Sequence, residues 1–245
     1  MNLHECCIYP DWPAPANVKS LQTTRHGGAS VAPYDSLNLG LHVGDAPLVV
    51  NQNRQLLSAL MPSEPVWLAQ VHGTRVANAD AANCVEQADA SVASTRGSVC
   101  VVMTADCLPV LLCDEDGTVV GAAHAGWKGL AAGVIEATVA AMQVTPHKLM
   151  AWLGPAIGAA AFEVGAEVRA VFIAHQAQAA IAFTAHGTQG KYHADIYVLA
   201  RQRLNALGIT RIYGGQHCTF TEQEYFFSYR RDGVTGRMGS FIWLG

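Results

Sequence analysis

Thr104 to Gly129 reads TADCLPVLLCDEDGTVVGAAHAGWKG, and its pattern decides the fold class. Two apolar runs, Leu108 to Cys113 and Thr118 to His124, flank the DEDG turn Asp114 to Gly117. Apolar runs of this length bounded by turn residues are buried strands. The turn closes them into a hairpin in which Cys113 faces Thr118. The same register sets Cys107 opposite His124, with Cβ atoms about 5 Å apart. That separation suits either a shared metal ion or a thiolate–imidazole pair. Pro109 cannot donate to the ladder, and a bulge would shift the register. Asp106, beside Cys107, sits in an apolar context where an unpaired carboxylate is costly. Beyond His124 the chain runs through AGWKG into Leu130 to Met142, where Leu130, Val134, Ala137 and Ala141 fall at helical spacing. Amides at that helix start can receive an anion.

Upstream, Ser98 to Thr104 is a further buried strand, and Pro65 to Val71 and Arg75 to Ala77 read as strand on either side of His72-Gly73. Asp45 is positioned to cap a helix from Leu48 to Leu60, with Pro47 in its first turn. Val18 to Thr24 is the first strand after an extended lead-in containing Pro10, Pro13 and Pro15. Arg25 to Ser30 and Pro33 to Gly44 are irregular. Downstream, Leu149 to Leu153 is a strand, and Gly165 to Ala180 is alanine-rich and helical. Asp195 begins a helix, Ile196 to Leu207, that Gly208 closes. Arg211 to Gly214 is a short strand, and Phe226 to Arg230 and Arg237 to Trp243 read as a hairpin around Asp232-Gly233. Without a strict βαβ rhythm, this mixture predicts an α+β fold with mixed sheets. No repeat or linker divides residues 1–245, so one domain is expected, and no phosphate-binding glycine fingerprint follows a strand.

The chain has 245 residues, 51% hydrophobic and 14% charged, which excludes a solvated disordered chain. A net charge of −4 argues against nucleic-acid binding. No apolar run is long enough to span a membrane, and MNLHECCIYP lacks the pattern of a signal peptide. Seven cysteines without a C-x-x-C spacing point to free thiols in a reducing cytoplasm. Cys84, Cys100 and Cys113 read as inert core thiols.

Catalytic zinc takes three protein ligands and keeps one position open. His72, at a strand end before glycine, is the best third candidate beside Cys107 and His124. One cysteine and two histidines suit zinc, with copper a competitor. His26 and His42 lie in glycine loops that can line a cleft; His4, His147, His175 and His186 read as surface residues.

Taken together, these segments resemble the laccase-domain family, also called multicopper polyphenol oxidoreductases. The resemblance is carried by TTRHGGAS, SLNLGLHVGD with Asn53-Arg54 after it, QVHG, TADCLPVLLCD, HAGWKG, GPAIG, FEVG, HCT and FFSYRRDGVTGRMGSFIWL. It covers nearly the whole chain. Bacterial members are described as purine nucleoside phosphorylases and as a peptidoglycan editing factor. The resemblance implies a four-layer α/β/β/α arrangement of mixed sheets and helices, related to toxin deamidases with a Cys-His pair. It implies a mononuclear zinc on His72, Cys107 and His124. Ala161 departs from relatives that carry cysteine there, a residue that reads as dispensable.

The implied reaction is phosphorolysis of adenosine, inosine or guanosine to ribose 1-phosphate and base. Adenosine deamination is an implied side activity, which zinc explains by activating water for attack at C6. The candidate catalytic set is Cys107, His124, His72 and Asp106. Arg25, Arg54, Lys128 and the amides of Gly126 to Gly129 are candidates for phosphate, and Ser36 and Asn38 for ribose. A metal-free alternative is a hydrolase or amidase that edits peptidoglycan precursors. Cys107 is then the nucleophile, His124 the base, and Asp106 or a backbone carbonyl the orienter. A zinc-bearing interaction protein is a third class. Copper-dependent polyphenol oxidation is expected to be slow and adventitious, because the ten histidines are dispersed and no two lie two apart. The expected partners are small molecules rather than nucleic acid or membrane, and a monomer or weak homo-oligomer is expected.

Overall fold

The computed structural model describes residues 3–81 and 87–245. Cys84 lies outside the described residues. Among them, no helix is long and apolar enough to cross a membrane.

A four-stranded antiparallel sheet runs in the order β1 (Cys7–Ile8), β2 (Val18–Thr23), β13 (Met238–Leu244), β5 (Val99–Thr104). A six-stranded mixed sheet runs β12 (Arg211–Gly214), β8 (Leu149–Leu153), β6 (Leu108–Asp114), β7 (Val120–Ala125), β4 (Ala90–Ala93), β3 (Val76–Asn78). Its outer pairs, β12–β8 and β3–β4, are parallel and its inner pairs antiparallel. A small third sheet joins β10 (Phe183–Ala185), β11 (Lys191–Ala194) and β9 (Glu163–Gly165). The α-helices are α1 (Pro47–Ser58), α2 (Trp127–Ala132), α3 (Val134–Met142), α4 (Ala166–His175), α5 (Ile196–Ala206) and the single turn α6 (Tyr229–Asp232).

Strands β6, β7 and β8 are buried throughout, which is why their sequences are continuous apolar runs. Alternate side chains serve two cores. Val110, Leu112, Ala123 and Ala151 pack with Val134 and Val139 of α3, Phe172 of α4 and Leu204 of α5. Leu111, Cys113, Ala122 and Trp152 face Cys100, Val102 and Ile242 of the four-stranded sheet. That sheet's other side, with Leu21, Val101 and Phe241, is covered by Leu57 of α1 and by Leu37, Leu39 and Trp67. The order of layers is therefore helix and loop, sheet, sheet, helices, in agreement with the expected α+β mixed-sheet class.

The β6–β7 register differs from the sequence expectation by two residues. Leu108 pairs with Ala125, Pro109 with His124 and Cys113 with Val120. Asp114 stays in the ladder by donating its N–H to the Val119 carbonyl. Its carboxylate accepts from Thr118 N, Thr118 Oγ1 and Val119 N at 2.7, 2.7 and 2.9 Å. The turn is thus Glu115 to Thr118, one residue later than the DEDG reading. A slip of two keeps every side chain on its face, whereas a slip of one would not.

Other differences have local causes. Ala46 holds the N-cap position of α1, because Asp45 Oδ2 accepts from Ser30 Oγ and Asn38 Nδ2 instead. The segment from Pro65 to Val71 makes only one bridge, Val66 to Cys100, and is tied to β5 by the Gln70 side chain on the Met103 backbone. Gly133, at φ 102°, splits Leu130 to Met142 into α2 and α3. The helix at Gly165 ends at His175, and a 3-10 turn covers Ala177–Ala182. The C-terminal hairpin does not form. Ser228 caps α6 by accepting from Arg231 N, Gly233 ends it, and β13 pairs with β2 and β5 instead. Asp195 caps α5 through Val198 N as expected.

Candidate functional site

Three segments converge where the central strands of the six-stranded sheet, β6 and β7, begin and end. His124 lies within β7, Cys107 immediately precedes β6, and His72 sits in the loop before β3. Their donor atoms all fall within 4.8 Å of one another. Cys107 Sγ is 3.7 Å from His72 Nε2, and the two imidazole centroids are 4.7 Å apart. Cys107 and His124 meet even though the register is not the expected one, since a two-residue slip leaves them on the same face.

The local backbone explains this convergence. His72 is held in the left-handed region, at φ 61°. Asp89 stabilises that turn by accepting from the N–H groups of Val71, His72 and Gly73 at 3.1, 2.8 and 2.7 Å. The same fully buried carboxylate is 2.8 Å from His124 Nδ1. Its backbone carbonyl receives the His124 N–H at 2.7 Å. Asp89 therefore fixes two of the three donors and leaves His124 Nε2 for a ligand. Gly126 is required by space. A Cβ there would lie 2.7 Å from His72 Cδ2 and 2.9 Å from Cys107 Sγ.

Asp106 has a different role from the one expected. It turns the chain before Cys107 at φ 96°. Its carboxylate accepts from Thr219 Oγ1 and Arg230 N, both at 2.6 Å, and its carbonyl from Ile157 N. These bonds lock the loop carrying Cys107 onto the C-terminal segment. The residue that orients His124 is Asp89, not Asp106. The sequence did hold a signal for it: Asp89 stands inside the apolar run Ala88 to Ala93, where an unpaired carboxylate is costly.

Burial alone would push the Cys107 thiol up, but the charge and hydrogen bond of His124, then of His72, bring it below its ordinary range. Burial alone would lower His124, and the Cys107 thiolate and the Asp89 carboxylate raise it. Burial opposes ionisation of Asp89 as well, and His124 with the N–H groups of Gly73 and Val71 holds it low. Both directions favour the thiolate form of Cys107 and a proton on His124, whose imidazole is backed by the Asp89 carboxylate.

This donor set fits a divalent transition metal. Tetrahedral zinc places a thiolate at about 2.3 Å and an imidazole nitrogen at about 2.0 Å, hence about 3.5 Å apart. The Cys107–His72 spacing of 3.7 Å matches that requirement. A histidine ligand backed by a carboxylate is the usual supporting arrangement.

The donors open onto a cleft of about 380 Å³, also lined by His42, Gln70, Met103, Tyr229 and Arg237. Among the described residues no carboxylate lines it. Burial first, then Arg237, Arg54 and His124, lower the His42 imidazole. Arg237 is the cation on this wall, although the sequence reading gave it no role.

The expected substrate residues lie elsewhere. Arg25 donates to the Asp35 carbonyl and carboxylate and to the Gln223 carbonyl. Ser36 Oγ donates to the Arg25 carbonyl and accepts from Gly28 N. Asn38 is fully buried, with its amide on Gly40 and Asp45 and its Oδ1 accepting from Arg237 N. Arg54 donates twice to the Leu39 carbonyl and lies 3.7 Å over the Trp67 ring. Lys128 is exposed, 5.7 Å from the Trp127 ring centroid. None of the five lines the cleft. Short polar or basic residues beside glycines suggested ligand loops, but the loops use those groups to satisfy their own backbone. Of the loop histidines, His42 lines the cleft and His26 packs edge-on to Tyr225. His147, His175 and His186 are exposed, and Cys100 and Cys113 are buried free thiols, as expected.

Comparison with known proteins agrees with this architecture. The family model described as multi-copper polyphenol oxidoreductase laccase matches residues 19–245. A purine nucleoside phosphorylase from Escherichia coli, YfiH, is 57% identical over 97% of this chain and 98% of its own. The Pseudomonas aeruginosa purine nucleoside phosphorylase PA4543 is 54% identical over the same shares. The crystal structure of Neisseria meningitidis protein NMB0706 superimposes with a TM-score of 0.94 at 54% identity, covering 98% of this chain and 99% of that one. YlmD from Geobacillus stearothermophilus gives 0.88 at 32% identity, covering 95% and 93%. The chain belongs to this laccase-like family.

Proposed function

We propose that this member of the laccase-like family is a purine nucleoside phosphorylase, a single domain that converts adenosine, inosine or guanosine and phosphate to ribose 1-phosphate and free base. The observation that carries the reading is the His72–Cys107–His124 cluster at the floor of a nucleoside-sized cleft, in a chain 57% identical to a protein of that name. The three residues hold a divalent ion, zinc in this reading, which supplies Lewis-acid chemistry when bound. Asp89 keeps the His124 tautomer fixed, and Gly126 leaves room for the His72 ring and the Cys107 sulfur. Adenosine deamination is a side reaction of the same centre, and the protein acts on small molecules in the cytoplasm.

The family description speaks of multicopper oxidation. Among the described residues one three-donor cluster occurs, whereas coupled copper chemistry needs several neighbouring histidine sites. Phenol oxidation with copper bound is accordingly a slow property of the same mononuclear centre.

A second reading has one specific observation behind it. The low-lying Cys107 thiol beside an Asp89-backed His124 has the composition of a thiol hydrolase. Acting without metal on an amide, such a site would suit editing of peptidoglycan precursors.

Product analysis of metal-loaded protein given adenosine, with and without phosphate, tests the proposal. Adenine and ribose 1-phosphate are expected only when phosphate is present, and inosine in both cases. Absence of ribose 1-phosphate overturns the phosphorylase reading, and amide hydrolysis that survives chelation favours the thiol hydrolase.

A further inference from the structure

Arg237 carries a charge that Cys107 and Asp106 offset only through space, without a bonded counter-ion. Four other guanidinium groups pair with carboxylates: Arg203 with Glu136 at 2.9 Å, Arg25 with Asp35 at 3.3 Å, Arg211 with Glu115 at 3.1 Å and Arg231 with Asp232 at 2.8 Å; Arg54, Arg201 and Arg230 donate to backbone carbonyls outside the cleft. Among the described residues no carboxylate meets Arg237. Its Nη1 donates to the carbonyls of Thr235 and Gly236 at 3.0 Å each. Nε and Nη2 have no acceptor among the described residues.

The group is half-buried, and it lines the same cleft as His72, Cys107 and His124. A half-buried cation with no acceptor on one edge is costly, and an anion brought in by a ligand would offset that cost. The acids closest to the site are already committed. Asp89 is bound to His124, and Asp106 to Thr219 and Arg230 N.

The backbone holds Arg237 firmly. Asn38 Oδ1 accepts its N–H at 2.9 Å, and its carbonyl accepts from Leu39 N at 3.1 Å. Gly40 is required beside it, since a Cβ there would come within 2.8 Å of Arg237 Cγ. Asn38 and Gly40 thus serve the site by aiming Arg237 rather than by touching a sugar. A fixed guanidinium with a free Nε–Nη2 edge is a bidentate receptor for a tetrahedral oxyanion.

We propose that Arg237 is the phosphate-binding residue of the cleft, taking inorganic phosphate on its Nε–Nη2 edge beside the three-donor centre. This rests on the phosphorylase reading. In the step it serves, an oxygen of monobasic phosphate bonds to C1′ as the C1′–N9 bond breaks. The bonding pair leaves on the purine, which takes up the proton that the phosphate loses.

The test measures binding of inorganic phosphate alone to metal-loaded protein by calorimetry, for wild type, Arg237→Gln and Arg237→Lys, with thermal melts to confirm folding. Steady-state kinetics with inosine follow. Arg237→Gln is expected to weaken phosphate binding about tenfold or more and to raise the phosphate KM in parallel, with the nucleoside KM little changed. Arg237→Lys should recover part of the loss, since it keeps the charge but not the fork. Phosphate binding to Arg237→Gln equal to wild type overturns the assignment, and so does an unchanged phosphate KM. Arg237-dependent phosphate binding in a protein that cleaves no nucleoside upholds the assignment and removes the phosphorylase reading instead.

Discussion

The Asp89 carboxylate takes three backbone N–H groups around His72 and the Nδ1 of His124. Asp89→Asn keeps the volume but sets an NH₂ against donors. We expect metal affinity to fall about 10- to 100-fold in chelator competition, with about 1–3 kcal/mol lost in denaturant melts; affinity equal to wild type would show that Asp89 only stabilises the loop. Gly126→Ala is the complementary case. Its backbone, at φ −62° and ψ 155°, is open to alanine, so the cost is confined to the ring and sulfur that the new Cβ would strike. It should lose bound metal and melt close to metal-stripped wild type, below the loaded protein. A fully loaded, active Gly126→Ala protein would contradict the packing described here. At this scale the sequence was legible for donors and much less so for their supports. His72, Cys107 and His124 are recognisable by chemical type and position, whereas the apolar surroundings of Asp89 mark it as a carboxylate in need of a partner, and which groups it serves becomes visible only when the loop at Val71 to Gly73 is folded over it.

At the scale of the element, the β6–β7 hairpin depends on Asp114. Burial pushes its carboxyl up, and the N–H of Val119 with the N–H and hydroxyl of Thr118 more than offset this, so it lies below the ordinary carboxylate range. A lowered folded-state pKa contributes stability above the unfolded value of about 3.9, and the contribution is lost as pH falls through the folded value. Asp114→Ala should therefore cost about 2–3 kcal/mol near neutral pH, with the gap from wild type narrowing below about pH 4. Urea melts across that range test it, and a pH-independent gap would show that the carboxylate's charge is not involved. The one-residue misplacement of this turn has the same origin. DEDG reads as a turn by composition, but only the side-chain bonds of Asp114 decide that it remains in the strand. Long-range pairing was hidden for a related reason: β13 lies between β2 and β5, from distant parts of the chain, so no local pattern at Asp232-Gly233 could reveal it.

For the whole molecule, the α+β mixed-sheet class was readable from the mixture of strands and helices, whereas the layer order followed only from the family resemblance; the structure accounts for it, because β6, β7 and β8 are buried on both faces and require cover on both sides. Arg25, Ser36, Asn38 and Arg54 satisfy backbone groups within irregular loops and do not line the cleft, a use of polar side chains that composition alone does not reveal. The three metal donors come from separate parts of the chain, so a bound ion should stabilise the entire fold. At a free metal concentration about 1,000-fold above Kd the gain is about 4 kcal/mol, or about 8–16 °C in Tm for a chain of this size. Identical melts for stripped and reloaded protein would show that the ion does not bind the native state preferentially. The central claim is that nucleoside cleavage occurs at His72, Cys107 and His124. Its most direct test measures metal content and phosphate-dependent release of ribose 1-phosphate on the same samples of wild type and Cys107→Ala. One ion per chain and product formation are expected in wild type, with both lost together in a variant that keeps its circular dichroism spectrum. Cleavage persisting in metal-free Cys107→Ala, or a fully loaded wild type that releases no ribose 1-phosphate, would contradict that claim.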